Sequence, residues 1–183
     1  TLVKLSKPIF HLDDKPAESI SPRTPPAIIG AGLLEAIPKK TILDFSKNSS
    51  GTPRMIGKKV GRFGWKAGQP TVNAQNKSAL LEDMGVKKLP ASAMAELEAY
   101  VSLLGVPPRT NPEAPDVILG EKIFHSLNCQ QCHIPNIRTG NSKFPELSNQ
   151  TIQPFTDLLL HDMGEDLQDD NASELASMWR TAP

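Results

Sequence analysis

Two thiols three positions apart, followed at once by an imidazole, make up Cys129-Gln130-Gln131-Cys132-His133. That spacing suits covalent attachment of a c-type haem. Each thiol forms a thioether to a porphyrin vinyl group, and the histidine beside the second thiol ligates the iron from the proximal side. These are the two cysteines of the chain, so no other thiol competes for the role. Pro135 follows two residues after the histidine, and its carbonyl is expected to accept a hydrogen bond from the second ring nitrogen of His133, fixing the tautomer. A redox dithiol, a structural disulfide or half of a zinc site are the competing readings. Zinc would need two further ligands at matching spacing, and no second Cys/His cluster is visible. A thioredoxin-like motif would need a βαβ context, which the sequence does not suggest.

The sixth iron position decides the chemistry. A methionine or second histidine there makes an electron-transfer centre, whereas an open position admits peroxide. Met163 is ranked first as distal ligand, because it lies a haem-wrapping loop downstream of His133; Met84, His125 and Met178 rank below it. His161, two residues before Met163, is a pocket or propionate residue instead. Arg180 and Arg138 could pair with haem propionates, because guanidinium matches carboxylate in bidentate fashion. Phe144, Phe155 and Leu160 flank the motif and are expected to line the porphyrin. Trp65, in Gly61-Arg62-Phe63-Gly64-Trp65-Lys66, is the candidate for an aromatic side chain between redox centres. The four carboxylates Glu165, Asp166, Asp169 and Asp170 read as a solvated acidic loop, not as a catalytic pair.

The rest of the chain must position these groups. Its 183 residues balance 20 basic against 20 acidic side chains, which argues against nucleic acid or an anionic membrane surface as partner. No apolar run is long enough to span a bilayer. Nine aromatic residues against 17 prolines and 12 glycines imply short elements wrapped around something. A buried porphyrin would supply core volume that the side chains lack, so the haem-free chain is expected to fold poorly.

Residues 1–62 are largely non-periodic. An apolar segment at 27–37 fits a short helix or an extended buried piece, and the polar stretch 46–59 reads as a flexible loop. A helix is expected after Pro70, burying Val72, Ala79, Leu80 and Met84 and ending at Gly85. The clearest helix covers 91–104, where Met94, Leu97, Val101 and Leu104 share a face before Gly105 and the Pro107-Pro108 pair. Another is expected over 115–128, with Leu119, Ile123 and Leu127 on one side, delivering Cys129 into the haem loop. A polar loop at 138–143, an apolar segment at 155–163 and a short helix at 173–179 complete a fold expected to be mainly α, with long, irregular, proline-rich loops. Two short stretches echo one another: Leu80 to Gly85 with Leu159 to Gly164, and Arg23-Thr24-Pro25-Pro26 with Arg180-Thr181-Ala182-Pro183. They hint at two related modules.

Taken together, several stretches resemble the bacterial di-haem c-type cytochromes known as di-haem or thiol oxidoreductases, relatives of the di-haem cytochrome c peroxidases. They are Arg23 to Pro26, Gly32 to Pro38, Gly61 to Pro70, Asp83 to Gly85, the Cys129–His133 motif, Leu158 to Gly164 and Trp179-Arg180-Thr181. The resemblance implies a cytochrome c-like haem domain over 89–183, and a segment over 1–88 that completes or bridges a first haem module. It implies redox chemistry of the electron-transfer or peroxidase kind, in the periplasm or another compartment outside the cytoplasm. The family carries two haems and this sequence one attachment motif, so the chain reads as the central part of a larger protein, incomplete at its C-terminal side, or as one subunit beside a second haem-bearing chain or redox partner. Its expected role is the electron-transfer domain of a di-haem oxidoreductase, with a non-enzymatic haem subunit or a stand-alone mono-haem carrier as alternatives.

Overall fold

The computed structural model describes residues 23–169 and 173–183. Gly30 turns left-handed (φ 72°) and starts α1 (Ala31–Glu35), so the 27–37 segment resolves as a short helix. Helix α2 (Lys39–Phe45) follows at once. The stretch expected to be a flexible loop instead carries a ribbon, β1 (Met55–Ile56) against β2 (Lys59–Val60), and Thr52 bridges to Leu160. Thr71 caps α3 (Val72–Ser78) by accepting from the Ala74 N–H, which satisfies one of the donors a helix start leaves open. A π-helical turn (Ala79–Asp83) extends α3, and Gly85 then reverses the chain at φ 67°. Met84, expected on the buried side, is 67% exposed, because the wider turn rotates it off the packed face.

Helix α4 (Ala91–Leu103) buries Met94 and Val101 as its spacing predicts. Helix α5 (Pro115–Ser126) opens on a proline, where the missing N–H costs nothing. Two more antiparallel ribbons follow: β3 (Ile137–Arg138) with β4 (Thr151–Ile152), and β5 (Leu160–Asp162) with β6 (Met178–Arg180). The last ribbon replaces the helix expected at 173–179. There the backbone turns at Ser173, whose carbonyl and hydroxyl accept from Ala176 and Leu175, and the chain then pairs with β5. The described residues therefore form a small mixed α/β structure, in which helix outweighs strand without making the fold mainly α.

Two apolar clusters hold it together. One joins Ile37, Ile42 and Val60 to Ile137, Leu158 and Leu159; the other joins Ala31, Phe63, Val72 and Val101, and Leu34 packs on both. Both draw on residues from either side of position 88. The buried Arg62 guanidinium ties the connection between α1 and α2 to β2 by donating to the carbonyls of Ile37 and Val60. Gly32 lets α1 approach α4 closely, since a Cβ there would lie 2.2 Å from the Ser102 carbonyl oxygen.

Candidate functional site

Asn128, left-handed at φ 58°, ends the run of α5 and turns the chain into a single 3₁₀ turn at Cys129–Gln131. The His133 N–H closes back on the Cys129 carbonyl at 2.9 Å, so both thiols and the imidazole are presented on one compact loop. Both cysteines are free thiols and partly exposed.

The ring of His133 is held from a distance. Its Nδ1 lies 2.8 Å from the carbonyl oxygen of Phe155. A carbonyl can only accept, so Nδ1 donates and Nε2 keeps its lone pair for a metal. The acceptor is thus Phe155, 22 residues downstream, and not Pro135. The chain reverses direction to bring it there: Phe155 adopts φ 48° and Leu158 φ 60°, a region bulky residues rarely occupy. Between them Thr156 and Asp157 are fully buried. Thr156 donates to the Thr181 carbonyl at 2.6 Å and accepts from the Leu158 N–H at 3.0 Å, which locks the segment in place.

A cavity of about 320 Å³ opens beside the loop; its lining joins the apolar Val117, Phe124, Pro135 and Phe155 to the polar Arg109, Glu121, His125, Asn136 and Gln153. The Phe124 and Phe155 rings meet edge to face, centroids 5.7 Å apart. Across α5 the apolar face read from the sequence is present but uncovered, and the helix has no buried residue. Leu119, Ile123 and Leu127 are 55%, 47% and 68% exposed.

A second constellation was not legible beforehand. His161 Nδ1 lies 3.8 Å from Cys132 Sγ, and its Nε2 lies 2.8 Å from an Asp157 carboxylate oxygen. The carboxylate accepts from Nε2, so Nδ1 faces the thiol as an acceptor. Burial pushes the Cys132 thiol above its ordinary pKa, and the Asp157 charge adds to the shift. These three side chains could in principle ligate a metal ion, but Asp157 and His161 are bonded to each other, which leaves an oriented hydrogen-bond relay onto the thiol. Gly51 makes room for it: a Cβ there would lie 2.7 Å from the His161 ring. The available signal for Asp157 was one acid inside the apolar run Phe155 to Leu160.

The other candidates are placed as follows. Leu160 is buried in β5 and Phe144 lines a separate polar cleft with Glu98, Lys143 and Leu147, so neither walls the cavity. Met163 is 49% exposed just past β5. Its backbone N–H donates to the Ser177 carbonyl. Arg138 is exposed on β3. Arg180 is buried, and burial draws its pKa down to about 10 against the opposing pull of Asp157. It donates to the carbonyls of Gly64 and Thr181, and its backbone N–H donates to the Trp65 carbonyl. The Trp65 indole donates to the Thr24 carbonyl and meets Trp179 edge to face at 6.4 Å. Lys66 lies 3.5 Å from the Trp179 ring centre and 3.2 Å from the buried Asp169 carboxylate. Asp169, read as part of a solvated loop, is therefore an internal counter-charge, 4% exposed at its side chain.

The model of the family described as "Di-haem oxidoreductase, putative peroxidase" matches residues 90–183, from the start of α4 through the Cys129–His133 loop to Pro183. The match covers just over half of the chain, and the chain belongs to the di-haem oxidoreductase family. The similar stretches noted between residues 23 and 85 lie outside the matched span. No curated protein and no solved structure matches the chain. Among the described residues, no helix is long and apolar enough to cross a membrane.

Proposed function

We propose that this chain carries one haem c, bound through Cys129 and Cys132 with His133 on the iron, and that it serves as an electron-transfer domain of a di-haem oxidoreductase. The observation that carries the reading is the His133 ring, whose Nδ1 is committed to a backbone carbonyl and whose Nε2 is left free. Metal-bound histidines are held in this way, the second nitrogen bonded to a carbonyl or carboxylate that fixes the ring and raises its basicity. The group fits its surroundings in one further respect: the cavity beside the loop has Val117, Phe124, Pro135 and Phe155 among its lining, an apolar portion that suits a porphyrin. When bound, the haem would supply a one-electron centre; the protein binds it, orients the ligand and screens one side from water.

The family is di-haem and these 183 residues hold one attachment motif, so the second haem of the pair is assigned to a region or chain outside them. Trp65, in edge contact with Trp179, is the proposed aromatic step between the two centres. A non-enzymatic haem subunit is the second reading, favoured by that same single motif. Haem of this type is attached outside the cytoplasm, which points to the periplasm or an equivalent compartment. Absorption spectra of the oxidised and reduced protein test the role. A centre that cycles reversibly with a small-molecule reductant and binds neither peroxide nor cyanide supports electron transfer; ready binding of either ligand moves this haem to the catalytic side.

A further inference from the structure

Phe155 combines three features rarely found in one residue. Its backbone is left-handed at φ 48°, its carbonyl accepts from His133 Nδ1 at 2.8 Å, and its ring walls the cavity against Phe124. A bulky residue holds such a backbone only when its surroundings impose it, and outliers of this kind collect where geometry serves function. Here the surroundings are explicit. The next residue, Thr156, is fully buried and pinned to Thr181, and Leu158 two positions further is left-handed as well at φ 60°. Pro135 sits close in sequence to His133 and lines the cavity, yet it is not the acceptor.

We propose that Phe155 is the positioning residue for His133: its strained turn aims the carbonyl that fixes the tautomer, the ring angle and the donor strength of the iron-facing nitrogen. The proposal rests on reading His133 as the iron ligand. It ties that ligand to the buried 156–159 segment and, through Thr156, to Thr181 near the C-terminal end, not to its own loop. An acceptor on Nδ1–H pushes electron density toward Nε2, which favours ferric iron and stiffens the iron–imidazole bond.

The test uses the haem-loaded full chain with the amide between Phe155 and Thr156 replaced by an ester. This makes the Phe155 carbonyl a weaker acceptor and leaves both side chains unchanged. A second variant, Phe155→Gly, removes the ring and relieves the left-handed backbone while keeping the carbonyl. The expected result is a lower iron–imidazole stretching frequency and a higher reduction potential in the ester, with a smaller lowering of the frequency in Phe155→Gly, which keeps the carbonyl. An ester with wild-type frequency and potential overturns the proposal, as does a Phe155→Gly frequency lowered as far as that of the ester. A wild-type chain without haem overturns the functional reading itself, and this shows before either variant is made.

Discussion

Asp157 accepts a hydrogen bond from His161 at 2.8 Å while itself fully buried, and the other nitrogen of that ring faces the Cys132 sulfur at 3.8 Å. The carboxylate's second oxygen accepts from the Leu159 N–H at 3.0 Å, and the buried Arg180 lies close enough to feel its charge. One acid thus orients the β5 imidazole that faces the Cys129–His133 loop.

Removing that acid leaves the Leu159 N–H and the His161 ring nitrogen without their acceptor, and the buried Arg180 without a nearby opposite charge. Asp157→Ala is expected to destabilise the protein by about 1–3 kcal/mol, the usual cost of leaving a buried donor unsatisfied. Urea unfolding checks it. A loss below about 1 kcal/mol would mean that Arg180 and His161 find other partners.

Lys66 sits between the Trp179 ring and Asp169, with its ammonium also donating to the carbonyls of Leu175 and Ala176. Lys66→Met keeps the length of the stem and removes the charge, at an expected cost of about 1–3 kcal/mol. Tryptophan fluorescence should report the change along the same unfolding curve, because Trp179 loses the nearer of the two cations over its ring, Arg23 at 5.2 Å being the other.

One contribution to acid sensitivity comes from the end of β5. The Gly164 N–H at 2.9 Å and, after it, the Ser177 hydroxyl hold the Asp162 carboxyl below its ordinary value of 3.8. A depressed carboxyl contributes stability that is complete above the unfolded value of 3.8 and fades as pH falls through the lower folded one. Asp162→Asn should therefore flatten the acid limb of the stability profile and leave its slope above about pH 5 unchanged. An unchanged acid limb would assign the effect to other carboxylates.

Met163, half exposed and held by its backbone alone, is placed to contribute little packing. Met163→Ala is expected to change stability by less than about 0.5 kcal/mol and to leave the haem spectrum as it was. Disappearance of a sulfur-to-iron absorption band in the variant would put Met163 on the iron after all.

What the sequence disclosed follows from how far each interaction reaches. The Cys129–His133 loop and helices α4 and α5 are local patterns, and the residues alone located them. The three ribbons among the described residues have strands of two or three residues, too short for an alternating signature, so the residues of β6 read as part of a helix. Phe155 and Asp157 act on the motif from 22 and 25 residues away, through a carbonyl and a buried acid that carry no pattern. Proximity along the chain points to Pro135, whereas Phe155 reaches His133 only through the fold.

Covalent attachment of one haem through Cys129 and Cys132 is tested most directly by the mass of the denatured polypeptide, purified from cells that mature c-type cytochromes. The expected mass exceeds that of the polypeptide by one haem, an excess retained after acid–acetone extraction and lost when both cysteines are replaced by alanine. A bare polypeptide mass, with both thiols open to alkylation, would contradict it.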